Sequence, residues 1–150
     1  MLRVSRTGGK RLVRIDITYA GNLHCRAVHG PSHVALETDA PVDNRGRGET
    51  FSPTDLLATS LGTCMATTMG ILAQDRGYPL EGMTLVVVKH MTPPPRRVAR
   101  LDVKLTIPAA EAARIDATGR ADLERRANEC PVRLSLLPAI DVPTTFDWAG

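Results

Sequence analysis

Residues 52–77, SPTDLLATSLGTCMATTMGILAQDRG, decide the fold of this 150-residue chain. Ser52 is a favoured N-cap residue, and a proline such as Pro53 suits the first position of a helix. Asp55 places a carboxylate near the positive end of the helix dipole. Gly77 is a typical C-terminal capping residue. The stretch therefore predicts one long helix that ends just before Gly77.

This predicted helix carries no charge between Asp55 and Asp75. A helix without a charged face is expected to be surrounded by protein. Its small residues recur every four positions, at Ala58, Gly62, Ala66 and Gly70. Such a stripe allows a second helix to approach closely, and that helix can come from another subunit. The stretch is long enough to cross a bilayer, but its threonines and glutamine are too polar for a lone span. We expect a buried helix in a soluble protein and no membrane partner.

Strand-like patterns lie on both sides of the long helix. Residues 12–19 have apolar or aromatic side chains at alternate positions, and 24–27 and 32–38 follow as further strand segments. The N-terminal third is therefore predicted to be a meander. Residues 83–90 and 98–107 predict a hairpin whose connection holds three consecutive prolines, which cannot donate to a strand ladder.

The C-terminal part is predicted to be mostly helical. Residues 108–129 are helical in character, with Gly119 as the predicted interruption. A new helix is predicted at Pro131, because the residue before a proline avoids the helical region. Residues 140–148 predict a last strand. The length suits a single α+β domain over residues 1–150 with a normal core.

Composition excludes several classes of function. The net charge is +3, the basic residues are scattered, and only 3% of the residues are aromatic. Nucleic-acid binding needs a denser basic face with aromatics for stacking, so no nucleic-acid partner is expected. The N-terminus, Met1 to Arg6, is basic but lacks the following apolar region of a signal peptide. Three widely spaced cysteines do not form a disulfide framework, so we expect a reducing, cytoplasmic location.

Two cysteines occur in contrasting settings. Cys130 becomes an N-cap if a helix opens at Pro131, and free backbone donors there favour its thiolate. Cys64 lies about three turns inside an uncharged helix, where burial favours the neutral thiol. A reactive Cys64 therefore needs a cation from elsewhere, and the candidates are Arg26, Arg96, Arg97 and Arg133. The residues alone leave open whether the two cysteines are structural or a redox pair.

No metal site is predicted. His24 and Cys25 are neighbours on a predicted strand, so their side chains point to opposite faces. No second pair of cysteine and histidine at zinc spacing is present. The isolated histidines are assigned no catalytic role: His29, His33 and His90.

The two cysteine segments together resemble one known family. Residues 52–64 resemble the helix motif of the OsmC/Ohr family of osmotically induced and organic hydroperoxide resistance proteins. Residues 130–136, CPVRLSL, resemble the family's second cysteine motif. The similarity extends in outline over residues 15–148. The chain is more similar to the broad OsmC-like branch, because Thr54 stands where the organic hydroperoxide enzymes carry a glutamate.

The resemblance implies a cysteine-based peroxidase. Cys64 would attack the O–O bond of an organic hydroperoxide, or of hydrogen peroxide, and become a sulfenic acid. Cys130 would then condense with it to a redox-active disulfide, which an external dithiol reduces. No cofactor is implied. The resemblance further implies a cytoplasmic, intertwined homodimer that serves the oxidative stress response, with antiparallel sheets wrapped around long central helices and active sites at the subunit interface.

Further site residues are candidates by position within the family pattern. Arg26 and Glu49 are the candidates for activating the nucleophile. Leu57, Leu61 and Leu134 are the candidates for the wall of an apolar substrate pocket. The alternative is a non-catalytic OsmC-like dimer whose paired cysteines sense oxidants or whose pocket holds an apolar ligand. A purely structural dimer is a third interpretation.

Overall fold

A computed structural model describes residues 12–149 of the chain. Residues Met1 to Arg6, on which the expectation about secretion rests, lie outside this range. The described elements are, in chain order, β1 (Ile15–Gly21), β2 (His24–His29), β3 (Ala35–Asp39), a short 3-10 helix (Val42–Asn44), α1 (Pro53–Arg76), β4 (Thr84–Met91), β5 (Val98–Thr106), α2 (Ala109–Ala112), α3 (Ala117–Asn128), α4 (Pro131–Ser135) and β6 (Thr144–Asp147).

The chain is an α+β protein, as predicted, and its internal contacts divide it into two compact units. The first unit ends at Thr54 and the second begins at Asp55. The single domain over residues 1–150 stays a prediction.

The first unit is the predicted meander. Strands β1, β2 and β3 pair in that order, each antiparallel to its neighbour. In the middle of the sheet Ile17 lies opposite Ala27, which lies opposite Leu36. The turn between β1 and β2 contains Asn22 and Leu23, both in the left-handed region with φ of 51° and 61°. Asparagine tolerates this conformation better than most residues, which suits it to the turn.

The buried carboxylate of Asp39 holds a loop against the sheet of the first unit. Asp39 Oδ1 lies 2.6 Å from Nδ1 of His24, and Asp39 Oδ2 accepts the backbone N–H of Glu49 at 3.0 Å. The backbone N–H of Asp39 also donates to the carbonyl of Phe51 at 3.1 Å. The hydrogen bond from His24 lowers the pKa of the Asp39 carboxyl, and the Glu49 N–H acts in the same direction. One side chain thus connects strand β2 to the loop that precedes α1.

The second unit contains a mixed sheet in the order β4-β5-β6. Strands β4 and β5 pair antiparallel, as the hairpin pattern predicts, with Val87 opposite Val103. Strand β6 runs parallel to β5, with Val103 opposite Thr144. Strand β6 is therefore an exception to the antiparallel sheets that the resemblance implies. Its connection to β5 passes through three helices, and a long crossover is what parallel pairing requires.

Helix α1 buries one face in the core of the second unit. Leu61, Met65 and Met69 are fully buried, in a cluster with Leu101 and Leu105 of strand β5. The helix ends at Arg76 as predicted, and the next residue, a glycine, has the left-handed φ of 69° that ends many helices. Helix α1 is also long and apolar enough to cross a membrane, with a mean hydropathy of 1.5 in its most apolar window. Buried core helices of soluble proteins can have the same length and hydropathy.

The opposite face of α1 is exposed in this chain. Thr59, Thr63 and Thr67 form a stripe along it, continued by Ile71, which is 52% exposed. Each threonine hydroxyl donates to the carbonyl four residues earlier, at 2.9, 2.8 and 2.7 Å. The hydroxyls are therefore satisfied within the helix. The expectation that protein surrounds the whole helix is not met within the described chain.

The stripe of small residues on α1 does not form one open surface. A Cβ on Gly62 would lie 3.0 Å from Cγ2 of Val87, so Gly62 allows β4 of the same chain to approach. A Cβ on Gly70 would meet nothing within 4 Å. Among the described residues, a second helix could therefore come close to α1 near Gly70, but β4 already occupies the position beside Gly62.

Gly119 does not interrupt the C-terminal helices, contrary to the prediction. The break lies between α2 and α3, where Asp116 caps α3 and its Oδ1 accepts the backbone N–H of Gly119 at 2.7 Å. Gly119 lies inside α3. A glycine is required there because a Cβ would come within 2.7 Å of the Tyr78 ring. The glycine serves a close contact and not a turn. The predicted start of α4 at Pro131 is confirmed.

We predict that replacing His24 with leucine changes the acid response of the first unit. Because the pKa of Asp39 is lowered in the folded state, its ionised form contributes stability above the usual value of 3.8 that is lost as the pH falls through the folded pKa. Without His24, the pKa should move up toward 3.8. The fall in the free energy of unfolding between about pH 5 and about pH 3 should become smaller.

NMR titration of the Asp39 carboxyl and urea unfolding at the two pH values check this. The matched control is His29→Leu, because Nδ1 of His29 contacts the hydroxyl of Ser32 and no carboxylate. An Asp39 titration that is identical in the parent and in His24→Leu would contradict the prediction.

Candidate functional site

Two cysteines far apart in the sequence meet in the second unit. Cys64 lies on α1, partly buried against the core, and Cys130 is fully buried at the start of α4. Their thiol groups are in hydrogen-bonding contact, and both are free. Side chains in such contact are within reach of a disulfide. The structure therefore brings together the two residues that the sequence singles out.

The local sequence fixes the position of Cys130. Its backbone is extended, with φ of −64° and ψ of 145°, and Pro131 follows as the first residue of α4. The Sγ atom accepts the backbone N–H of Arg133 at 3.4 Å. A cysteine here takes the N-cap position that serine or aspartate usually takes, so its sulfur is held at the helix start.

The electrostatics of Cys130 differ from the expectation. Burial raises the pKa of its thiol, and the contact with Cys64 raises it further. The backbone N–H groups of Arg133 and Val132 oppose this and lower the pKa. The helix start does act in the predicted direction, but the loss of hydration outweighs it. The backbone donors thus act on Cys130 as predicted, and burial, which the N-cap position does not reveal, sets the net direction of its pKa.

The side chain of Arg133 connects α4 to the segment that leads into β6. Its Nη1 atom donates to the carbonyl of Val142 at 3.0 Å and to the hydroxyl of Thr144 at 3.2 Å. Both acceptors are neutral and the group is partly buried. Arg133, one of the four candidate cations, thus contacts Cys130 through its backbone N–H. Its guanidinium group is bound to Val142 and Thr144. Arg97 is directed to the carbonyl of Val98 at 3.2 Å.

Arg26 and Glu49, the candidate activating residues, lie in the first unit. Arg26 is exposed on β2, between Thr18 and Glu37 on the neighbouring strands. The carboxylate of Glu49 lies 3.8 Å from the guanidinium of Arg47. The structure therefore pairs Glu49 with Arg47 and not with Arg26.

The three candidate pocket residues lie in different environments. Leu61 is fully buried in the core and Leu57 packs against the same core. Leu134 is 72% exposed on α4. A separate cavity of about 390 Å³ lies beside α4, lined by Arg133, Leu136, Leu137, Pro138, Ala139, Ile140, Asp141 and Val142. Sequence reasoning missed this cavity, because consecutive loop residues carry no periodic signal.

An ion pair at the start of α1 was also missed. Nζ of Lys89 lies 2.6 Å from Oδ1 of Asp55, and the Lys89 side chain is only 17% exposed. A signal for it does exist in the sequence. On β4 the alternation that buries Leu85 and Val87 places Lys89 on the same inward face, where a charge needs a partner. Among residues 12–149, no three metal-ligating side chains come close enough to hold a metal ion.

We predict that Arg133→Met weakens the placement of Cys130. The change removes two hydrogen bonds from a partly buried charged donor, so the free energy of unfolding should fall by about 1–3 kcal/mol. Formation of a Cys64–Cys130 disulfide by the thiol oxidant diamide should also become slower, because α4 is no longer held to the segment before β6.

Urea unfolding and the rate of loss of free thiols measure the two effects. Arg126→Met is the matched control, since the guanidinium of Arg126 lies 3.8 Å from the exposed carboxylate of Glu129, a surface ion pair that contributes little to stability. Equal effects of the two substitutions on the disulfide rate would contradict the positioning role of Arg133.

Comparisons with known proteins agree with this arrangement. The sequence model of the OsmC-like protein family matches residues 46–145, which include both cysteines. No curated protein matches significantly. Among solved structures, a putative osmotic stress induced and detoxification response protein from Psychrobacter arcticus is 38% identical with a TM-score of 0.81, and the alignment covers 93% of this chain and 98% of that one.

Two more distant structures share the fold. One is an organic hydroperoxide resistance protein OsmC, a predicted redox protein, from Legionella pneumophila (17% identity, TM-score 0.70, coverage of 93% and 99%). The other is a putative organic hydroperoxide resistance protein from Vibrio cholerae, with captopril bound in one of the active sites (14%, 0.70, 93% and 95%). From the family match and the Psychrobacter relative, this chain belongs to the OsmC-like protein family.

Proposed function

We propose that this protein is a cysteine-based peroxidase that reduces organic hydroperoxides, with hydrogen peroxide as a secondary substrate. The observation that carries the proposal is the contact between the thiols of Cys64 and Cys130. Both residues lie within the region that matches the OsmC-like family. The names of the Legionella and Vibrio relatives, which refer to organic hydroperoxide resistance, point to the same substrate class.

The reaction uses the two sulfurs in sequence. The Cys64 thiolate attacks one oxygen of the hydroperoxide, the O–O bond breaks, and the alcohol leaves with a proton. Cys64 is now a sulfenic acid. The Cys130 sulfur attacks the Cys64 sulfur, the S–O bond breaks, and the oxygen leaves as water. An external dithiol then reduces the disulfide and is itself oxidised by two electrons.

The unequal burial of the cysteines supports these roles. Cys64 is partly exposed, so a hydroperoxide can reach it. Cys130 is fully buried and in contact with Cys64, which suits an internal thiol that reacts with its neighbour and not with solutes. Arg26 and Glu49 remain the proposed activating residues, and Leu57 and Leu61 the proposed pocket wall on α1, with Leu134 on α4.

We place the reaction in a homodimer. The exposed threonine face of α1 is uncharged, and its hydroxyls are already satisfied. The sheet of the first unit has a second uncharged surface, where Ile15, Ile17, Tyr19 and Leu36 are 57%, 68%, 63% and 46% exposed. Large exposed apolar patches mark interaction sites, and we assign these two surfaces to contacts with a second copy of this chain. The reducing cytoplasm is the proposed location, because free thiols persist there and dithiol reductants are available.

We predict distinct oxidation products for the two cysteine variants. Reduced parent, Cys64→Ser and Cys130→Ser proteins are treated with cumene hydroperoxide or hydrogen peroxide, and oxidised cysteines are located by mass spectrometry. Cys130→Ser should consume one equivalent of peroxide and accumulate oxidised Cys64, because no resolving thiol remains. Cys64→Ser should not react.

Other outcomes identify other functions. Equal slow oxidation of all three proteins would overturn the peroxidase and favour a non-catalytic dimer that binds an apolar ligand. Oxidation that begins at Cys130 would show that the buried N-cap sulfur is the nucleophile and would reverse the roles. Cys25→Ser serves as the control, because Cys25 lies on β2 in the first unit and takes no part in the proposed reaction.

We predict further that Thr63→Glu and Ile17→Glu weaken the dimer. Each places a charge on a surface that the proposed interface would desolvate, so the dissociation constant should rise about tenfold or more. Sedimentation velocity over a concentration series measures it. Thr118→Glu is the control, since Thr118 is exposed in the first turn of α3, where a carboxylate is favoured. A monomeric parent, or unchanged dimerisation in both variants, would contradict the proposed interface.

A further inference from the structure

The proposed peroxidase cycle passes through a disulfide whose two sulfurs differ in accessibility. The Cys130 side chain has 0% exposure and belongs to the buried core cluster. Cys64 is only partly buried and packs at the edge of that cluster. A reductant that arrives from solution therefore meets the Cys64 sulfur first, and it would have to open the buried core to reach the other.

The direction of attack strengthens this difference. A thiolate attacks a disulfide along the S–S axis, on the side opposite the leaving sulfur. Attack on Cys64 can come from the partly exposed side of α1. Attack on Cys130 would have to reach a fully buried sulfur that already accepts the backbone N–H of Arg133.

We infer that the external dithiol attacks the sulfur of Cys64 and not that of Cys130, so that hydroperoxide and reductant react in turn at the same atom through the same opening. This inference rests on the proposed function. One thiolate of the dithiol forms a bond to the Cys64 sulfur, and the Cys64–Cys130 bond breaks with its electron pair on Cys130. The second thiol then attacks the sulfur of the reductant. The Cys64 thiolate is released, and the dithiol leaves as a disulfide.

The backbone donors at Cys130, but not its burial, favour it as a leaving group. The backbone N–H groups of Val132 and Arg133 interact with its sulfur and stabilise the charge that arrives there. Burial raises the pKa of the Cys130 thiol, so the thiolate then takes up a proton. The second thiol of the reductant then attacks the mixed disulfide and completes the reaction.

One consequence is that the two half-reactions exclude each other. A reductant bound at the exposed side of Cys64 prevents a hydroperoxide from reaching the sulfur, and a bound hydroperoxide prevents the reductant from reaching it. Steady-state kinetics should follow a ping-pong pattern, and a high concentration of dithiol should inhibit by competing with the hydroperoxide.

The test separates reduction from peroxidase activity by making the disulfide with diamide, without any peroxide. The oxidised parent protein is treated with limiting glutathione, quenched with acid, blocked with N-ethylmaleimide and digested. Mass spectrometry then locates the glutathione. We expect the adduct on Cys64 and the maleimide on Cys130, with a ratio of about tenfold or more over the reverse pattern.

A second measurement uses the two single variants. The Cys64 thiol of Cys130→Ser should react with a disulfide reagent such as dithiobis(nitrobenzoate) about tenfold or more faster than the Cys130 thiol of Cys64→Ser. In urea the two rates should become similar, which controls for intrinsic reactivity.

Adducts mainly on Cys130, or equal adducts on both cysteines, would overturn the inference. Failure of diamide to join the two sulfurs would overturn it as well, because the disulfide on which it depends would not form. A glutathione adduct on Cys64 in a protein that does not react with hydroperoxides would uphold the inference while refuting the proposed peroxidase.

Discussion

The packing of α1 against the sheet of the second unit is the constraint on which the rest of that unit depends. Leu61, Met65 and Met69 fill the core from the helix side, and Gly62 allows Val87 of β4 to come close. At the start of the helix, a 2.6 Å ion pair joins Asp55 of α1 to Lys89 of β4. A buried face of this size allows no other rotation without exposing core side chains.

This fixed rotation determines which way Cys64 points. Cys64 precedes the buried Met65 and lies between the core face and the exposed threonine face, so its thiol is half shielded. Cys130 approaches from the other direction, because α3 ends before it and Pro131 starts a new helix. The two sulfurs meet at the edge of the core. A position with one accessible and one inaccessible sulfur follows from this packing.

Much of this arrangement could be predicted from the sequence, where local signals are strong. Helix α1, the meander and the helix start at Pro131 follow from capping residues, alternation and proline geometry. Features that depend on distant contacts could not be predicted. Gly119 looked like a helix break because its real reason, the Tyr78 ring, lies 41 residues earlier in the chain.

The candidate site shows the same division. The cysteine pair was identified by resemblance to a family, but the net direction of the Cys130 pKa depends on burial, which the N-cap position does not reveal. The pairing of Glu49 with Arg47 depends on the conformation of a loop with little periodicity. Lys89 was visible as a charge on an apolar strand face, yet only the structure identifies Asp55 as its partner.

The parallel pairing of β5 with β6 has a consequence for the newly made chain. Cys64 is translated 66 residues before Cys130, and the strand that follows Cys130 can join the sheet only after the three intervening helices have crossed over. On the ribosome, Cys64 is therefore synthesised well before its partner thiol. Until synthesis reaches α4, Cys64 is without the thiol that it contacts in the folded chain, so any disulfide between the two can form only after residue 130 has been added.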